Sequence, residues 1–173
     1  MLASNTGLFL TIFELRRKFP FLDSLMIFGA EYLIYVTFGL AILLAFRFGD
    51  KEKKALLLTL ISLGISILLI WVIRLFYSEP RPFVTYNIDP LIQRIKDPSF
   101  PSGHTTTMAV VAFSFYYYKS KFAPIFAIFL LWVGFARVFV GVHYPLDILG
   151  GMIAGLVSVH IAWYFKNWLR RYV

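Results

Sequence analysis

The stretch 55-ALLLTLISLGISILLIWVI-73 carries no charged residue and runs directly into Arg74. As a helix rising 1.5 Å per residue it is about as long as a bilayer's hydrocarbon core is thick, roughly 30 Å. Outward from it lie further apolar runs at Leu22–Phe46, Phe122–Phe135 and Leu146–Phe165. Hydrophobic residues make up 60% of the chain and charged residues 15%; soluble domains run at roughly 45–50% and about 25%. A water-soluble core built from 173 residues could not hide so much apolar surface. The pattern predicts an all-α, polytopic transmembrane bundle of about five spanning helices, plus an N-terminal interfacial or sixth helix.

The residues between the runs mark the elements. Leu8–Lys18 has Leu8, Ile12 and Leu15 at helical spacing and a basic end, Arg16-Arg17-Lys18. Its charge follows its apolar part, unlike a signal peptide, so it reads as an amphipathic helix in the membrane interface. Helices are expected over Leu22–Phe46 and Ala55–Tyr77, joined by a basic loop at Arg47–Lys54. The segment Ser78–Gly103, with five prolines, is too polar and broken to span. A helix from His104 to Tyr118, a turn at Lys119–Lys121, a helix ending near Phe139 and a last helix from Pro145 to about Trp168 complete the chain.

The net charge of +8 does not suggest nucleic acid, because the basic residues fall between apolar runs, where they suit anionic headgroups. Arg47–Lys54, Lys119–Lys121 and Lys166–Arg171 hold nine Lys and Arg on one side. Arg16, Arg17, Lys18, Arg94 and Lys96 give five on the other, apart from Arg74, Arg81 and Arg137. The positive-inside rule therefore puts Ser78–Gly103 outside the cytoplasm. No cysteine is present, which excludes disulfides and cysteine metal sites.

Three clusters share that outer side: Arg74-x6-Arg81-Pro82, Pro101-Ser102-Gly103-His104 and Arg137-x5-His143-x3-Asp147. Three guanidiniums suit phosphate oxygens and the charge of a phosphoryl-transfer transition state. Ser102 and Gly103 precede a helix, whose free N–H groups favour an anion. Two histidines can divide the roles of nucleophile and acid. Asp147, four residues after His143, is placed to hold one ring N–H and free the other nitrogen, which leaves His104 as the acid. Asp147, Gly151 and Gly155 form a small-residue stripe of the kind that marks close helix contact. Taken singly, each residue also fits a plainer role: a snorkelling Arg74, a turn and cap at Pro101–Gly103, a structural His143. Glu31, inside an apolar run, is left without a role, and His160 reads as structural.

These residues resemble the signature of the type 2 phosphatidic acid phosphatase superfamily: Lys-x6-Arg-Pro, Pro-Ser-Gly-His and Ser-Arg-x5-His-x3-Asp. The resemblance spans Arg74 to Asp147, with Arg74 in place of the usual Lys and Ala136 in place of the usual Ser. It implies one integral-membrane phosphatase domain over residues 1–173. It further implies a phosphohistidine on His143, acid catalysis by His104, orientation by Asp147, and phosphate binding by Arg74, Arg81, Ser102, Gly103 and Arg137. No metal or other cofactor, no nucleic acid and no obligate protein partner is expected beyond the lipid phosphate and membrane lipids. Leu22-Asp23-Ser24, Glu31-Tyr32, Glu79–Val84, Ser99–Ser102 and His143-Tyr144-Pro145 are similar to the bacitracin-resistance type of bacterial undecaprenyl diphosphatase. That implies a bacterial cytoplasmic membrane, in which the charge count turns the site outward. Lipid A 1-phosphatases and phosphatidylglycerophosphate phosphatases share the core signature. A lipid or anion transporter is the rival of another class, but it would show repeated halves and broken midplane helices.

Overall fold

Gly49, at φ +100°, is the single residue between two long helices that fold back on each other; a side chain would be strained there. The computed structural model describes residues 3–93 and 97–169. The helices are α1 (Ala3–Phe13), α2 (Pro20–Phe48), α3 (Asp50–Phe76), α4 (Gly103–Tyr117), α5 (Ala123–Phe139) and α6 (Pro145–Leu169), with one short turn at Pro82–Thr85. There is no strand among the described residues.

By length and composition α2, α3 and α6 can each cross a membrane, and α5 is a shorter apolar helix. With 15 residues, α4 is about 22 Å long. It escapes the lipid by packing against α3, α5 and α6, and it buries Thr105, Met108, Val111 and Phe115 among others. The outer helices turn apolar side chains outward: Leu57, Leu60, Ile67, Leu68, Leu75 and Phe76 of α3 are all exposed. That surface suits hydrocarbon and not water.

Contact between α4 and α6 is close because α6 carries glycine. A Cβ at Gly155 would come within 2.6 Å of the Ala109 Cβ, and one at Gly151 within 2.8 Å of the Ser102 carbonyl oxygen. Backbones at this range anchor the start of α4 to the first turns of α6. The Ser102 N–H also donates to the Asp147 carbonyl, at 3.1 Å.

Two expected boundaries move. The basic loop Arg47–Lys54 shrinks to Gly49, since Arg47 closes α2 while Lys51, Lys53 and Lys54 lie in the first turns of α3. Charged residues are good helix formers, and a spanning helix simply continues into water. At the N-terminus, the helix stops at Phe13, and Arg16–Lys18 form a turn in which Arg17 has φ 62°. Eleven residues make about 16 Å, half the hydrocarbon thickness. Leu8 and Leu15 of the apolar stripe are exposed, while a second face, Phe9 and Phe13, is buried against Val138, Tyr144 and Ile148. Of the residues counted for charge, Arg94, Lys96, Arg170 and Arg171 lie outside the described residues. At one end of the bundle Lys51 shares a hollow with Lys119 and Lys121, and Lys166 donates to the Tyr118 hydroxyl at 2.7 Å.

Candidate active site

The far end of the bundle gathers the three clusters. Arg74 is in the last turn of α3 and Arg81 stands just before the Pro82–Thr85 turn. Gly103 and His104 open α4, and Arg137 is in the last turn of α5. His143 sits in the α5–α6 connection, and Asp147 in the first turn of α6. A cavity of about 550 Å³ is lined by Arg74, Arg81, Gly103, His104, Arg137 and His143, together with Asp97. Its remaining wall is largely apolar: Phe38, Leu63, Ile67, Ile70 and Trp71. Asp147 and Ser102 are fully buried behind this lining.

His143 is held from both ring nitrogens. Its Nδ1 lies 3.3 Å from Asp147 Oδ2 and 3.4 Å from Ser99 Oγ. Its Nε2 lies 3.4 Å from Arg81 Nη1. A guanidinium can only donate, so Nε2 of the neutral ring is an acceptor and the proton belongs on Nδ1, toward the carboxylate. Burial, reinforced by the positive Arg137 and Arg81, pushes His143 well below the ordinary histidine value of 6.5. The ring is therefore neutral at neutral pH, and its unprotonated Nε2 faces the cavity, where Arg81 donates to it. Asp147 Oδ2 also accepts from Ser99 Oγ at 2.5 Å and from the Tyr144 N–H at 2.8 Å, so it is fixed in place.

The arginines are organised by a residue that spacing did not single out. Arg81 Nη2 is 2.6 Å from Asp97 Oδ1, and Arg74 Nη1 is 3.1 Å from Asp97 Oδ2. Main-chain carbonyls take most of the other donors. Arg81 Nε donates to Asp97 O and Nη1 to Val142 O; Arg74 Nη2 donates to Pro98 O and Pro101 O. Asp97 and Ser99 were both missed. Their signal was present as a carboxylate and a hydroxyl just ahead of Pro101–His104.

Ser102 stands directly before α4, as expected, with its hydroxyl engaged by the helix. Its Oγ accepts from Thr105 N–H at 3.4 Å and from the Thr105 hydroxyl at 3.0 Å. It caps α4, and its side chain is absent from the cavity lining. Gly103 does line it, and a Cβ there would meet no atom within 4 Å. Arg137 is buried and donates to the Ala30 carbonyl at 3.3 Å. Ala30 belongs to a π-helical turn, Phe28–Tyr32, that interrupts α2; such turns often sit at functional sites. Ala136 packs near Gly29 of the same turn. Glu31 lines a second, smaller hollow that shares Arg81, His104 and Arg137 with the main cavity. Away from the site, His160 Nδ1 is 2.9 Å from the Tyr117 hydroxyl.

Fold and cavity define the class: a polytopic helical membrane protein with a cation-rich, histidine-bearing cavity at one end of its bundle. The chain belongs to the PAP2 superfamily, which matches residues 55–171. It is 35% identical over 170 residues to undecaprenyl-diphosphatase BcrC of Bacillus subtilis (strain 168), covering 98% of this chain and 88% of that one. A lipid A 1-phosphatase of Rhizobium etli is 39% identical over 70 residues, covering 40% of this chain and 30% of that protein. The crystal structure of Aquifex aeolicus LpxE superimposes with a TM-score of 0.77 at 26% identity, covering 94% of this chain and 96% of that one. The protein is thus a multi-pass membrane protein.

Proposed function

We propose that this lipid phosphatase of the PAP2 superfamily removes the terminal phosphate of undecaprenyl diphosphate through a phosphohistidine on His143. Its site faces the outer side of the bacterial cytoplasmic membrane. The observation that carries the chemistry is the His143 ring, held through Nδ1 by Asp147 with Nε2 at the cavity beside Arg81. In the first step the Nε2 lone pair attacks phosphorus, the P–O bond to the lipid phosphate breaks, and His104, which carries a proton once the phosphate anion faces it, gives that proton to the leaving oxygen. In the second step His104 takes a proton from water, the water oxygen attacks phosphorus and the P–N bond breaks. Arg74, Arg81 and Arg137 hold the phosphoryl oxygens, and Gly103 leaves room for them. Ser102 contributes as the cap that sets the start of α4.

The diphosphate is favoured because the similarity to the Bacillus subtilis undecaprenyl-diphosphatase runs nearly the length of both chains. The similarity to the Rhizobium etli lipid A 1-phosphatase, which favours lipid A as the second reading, covers 40% of this chain. Metal is not needed in this scheme. The cavity's carboxylate, Asp97, is already paired with two arginines, and a hard cation wants several free oxygen ligands. Purified protein in excess EDTA should release phosphate from undecaprenyl diphosphate faster than from lipid A or phosphatidylglycerophosphate. A strict demand for added divalent metal would sink the mechanism, and preference for another lipid in the panel would replace the substrate.

Outward orientation rests on the nine-to-five count of positive residues. In intact cells, cysteine at Asp89 should react with a membrane-impermeant thiol reagent, whereas cysteine at Lys51 should not. The reverse labelling pattern would turn the site toward the cytoplasm.

A further inference from the structure

Among the described residues, Asp97 is the only carboxylate lining the main cavity. It presents its two oxygens to two different arginines, Oδ1 to Arg81 at 2.6 Å and Oδ2 to Arg74 at 3.1 Å. A tetrahedral phosphate bridging the same guanidiniums would need the same N–H groups. Asp97 is not locked away: its side chain is 36% exposed, against 6% for Arg81. Nor are the arginines held by it alone. The carbonyls of Asp97, Pro98, Pro101 and Val142 accept from them as well. These neutral acceptors keep both guanidinium planes in place whether or not the carboxylate stays.

We infer that Asp97 is a built-in substitute for phosphate. It bridges the two guanidiniums and offsets one of their two positive charges when no phosphate is bound, yields them to the incoming phosphoryl group and reclaims them as orthophosphate leaves. It is a positioning residue acting through Arg74 and Arg81, and it sets the strength of product inhibition. The inference rests on the reading of the cavity as a phosphate site. The electrostatic reason is direct. The three arginines and one carboxylate that line the cavity sum to about +2 when both histidines are neutral, a fair match for a phosphate dianion, and Asp147, buried behind His143, is the same with or without Asp97. Without Asp97 the charge is about +3, two unpaired guanidiniums face each other in a poorly screened hollow, and the product is held too well.

The sign of one measurement separates this role from that of a brace. Binding of orthophosphate to the purified protein in detergent can be followed by calorimetry, and its inhibition of phosphate release from the lipid by steady-state kinetics. Asp97→Asn keeps the size and the backbone carbonyl but removes the charge. It should bind orthophosphate about tenfold tighter or more, with inhibition at correspondingly lower concentration. Asp97→Glu keeps the charge and should stay near wild type. A brace would give the opposite: without it the arginines lose their geometry and phosphate binds more weakly. Equal or weaker binding by Asp97→Asn therefore overturns the inference. Should that variant not fold, Asp97→Ser reads the same sign. If wild-type protein binds no orthophosphate at all, the phosphate-site reading fails first and takes this inference with it.

Discussion

His143→Ala should abolish turnover and leave no trappable phosphoenzyme, a loss of about 10⁴-fold or more, the scale seen when an enzyme loses its nucleophile. The argument rests on position more than on residue type. Wild-type Nε2 is at the cavity beside Arg81 Nη1, which can only donate to it. Among the described residues no other candidate nucleophile has that arrangement. His104 also lines the cavity, but among the described residues no carboxylate is hydrogen-bonded to its ring. Ser102 spends its hydroxyl on Thr105, and Ser99 spends its own on Asp147. Rapid-quench experiments with a radioactive terminal phosphate decide the matter. Wild-type protein should carry an acid-labile, base-stable label that is absent from His143→Ala. The variant's melting temperature provides the control, since His143 is buried and its loss leaves a cavity. Label persisting in a folded His143→Ala protein would move the nucleophile elsewhere, and His104 would be the first residue to test.

Much of this site is legible along the chain because its residues sit at the ends of apolar runs. Arg74 closes one run, His104 opens a helix, and Arg137, His143 and Asp147 bracket a short connection, so one membrane face collects them all. Asp97 and Ser99 were not legible in that way. They lie in a segment without periodicity, and their partners Arg74, Arg81 and Asp147 are 16 to 48 residues away. Only the fold brings them together. The N-terminal helix shows a different limit. Leu8, Ile12 and Leu15 form an apolar stripe, which in water would be the buried face. In a membrane protein, apolar side chains lose nothing by facing lipid, so the stripe ceases to report the inside. Specific aromatic packing decides instead: Phe9 stacks on Phe13 and meets Tyr144 edge-on, and Tyr144 is the residue immediately after His143. The same helix reaches α6, where Asn5 Oδ1 accepts from the Leu146 N–H at 3.0 Å. What reads as an interfacial helix thus also supports the loop that carries His143.

Asp147→Asn should lower kcat/KM by about 10²–10³-fold while leaving the His143 ring where it is. One oxygen, Oδ2, accepts from Ser99 Oγ, Tyr144 N–H and His143 Nδ1. The other, Oδ1, has no hydrogen-bond partner among the described residues. In the variant the amide oxygen takes the Oδ2 place, because the amide NH₂ there would face the Tyr144 N–H, donor against donor. All three hydrogen bonds survive, and the imidazole keeps its proton on Nδ1. What is lost is the negative charge. Attack on phosphorus makes the ring positive, and Arg137 and Arg81 oppose that charge, just as they push the free ring's pKa down. Asp147 is the carboxylate in contact with the ring, so neutralising it falls on the transition state. A loss of 10²–10³ corresponds to about 2.7–4 kcal/mol. Ser99→Ala removes one donor to Oδ2 and no charge, so it should cost about tenfold or less. Single-turnover rates of phosphoenzyme formation compare the two directly. If Asp147→Asn forms the intermediate within threefold of the wild-type rate, the carboxylate serves only to orient His143. If Ser99→Ala loses as much as Asp147→Asn, the hydroxyl and not the charge governs the ring.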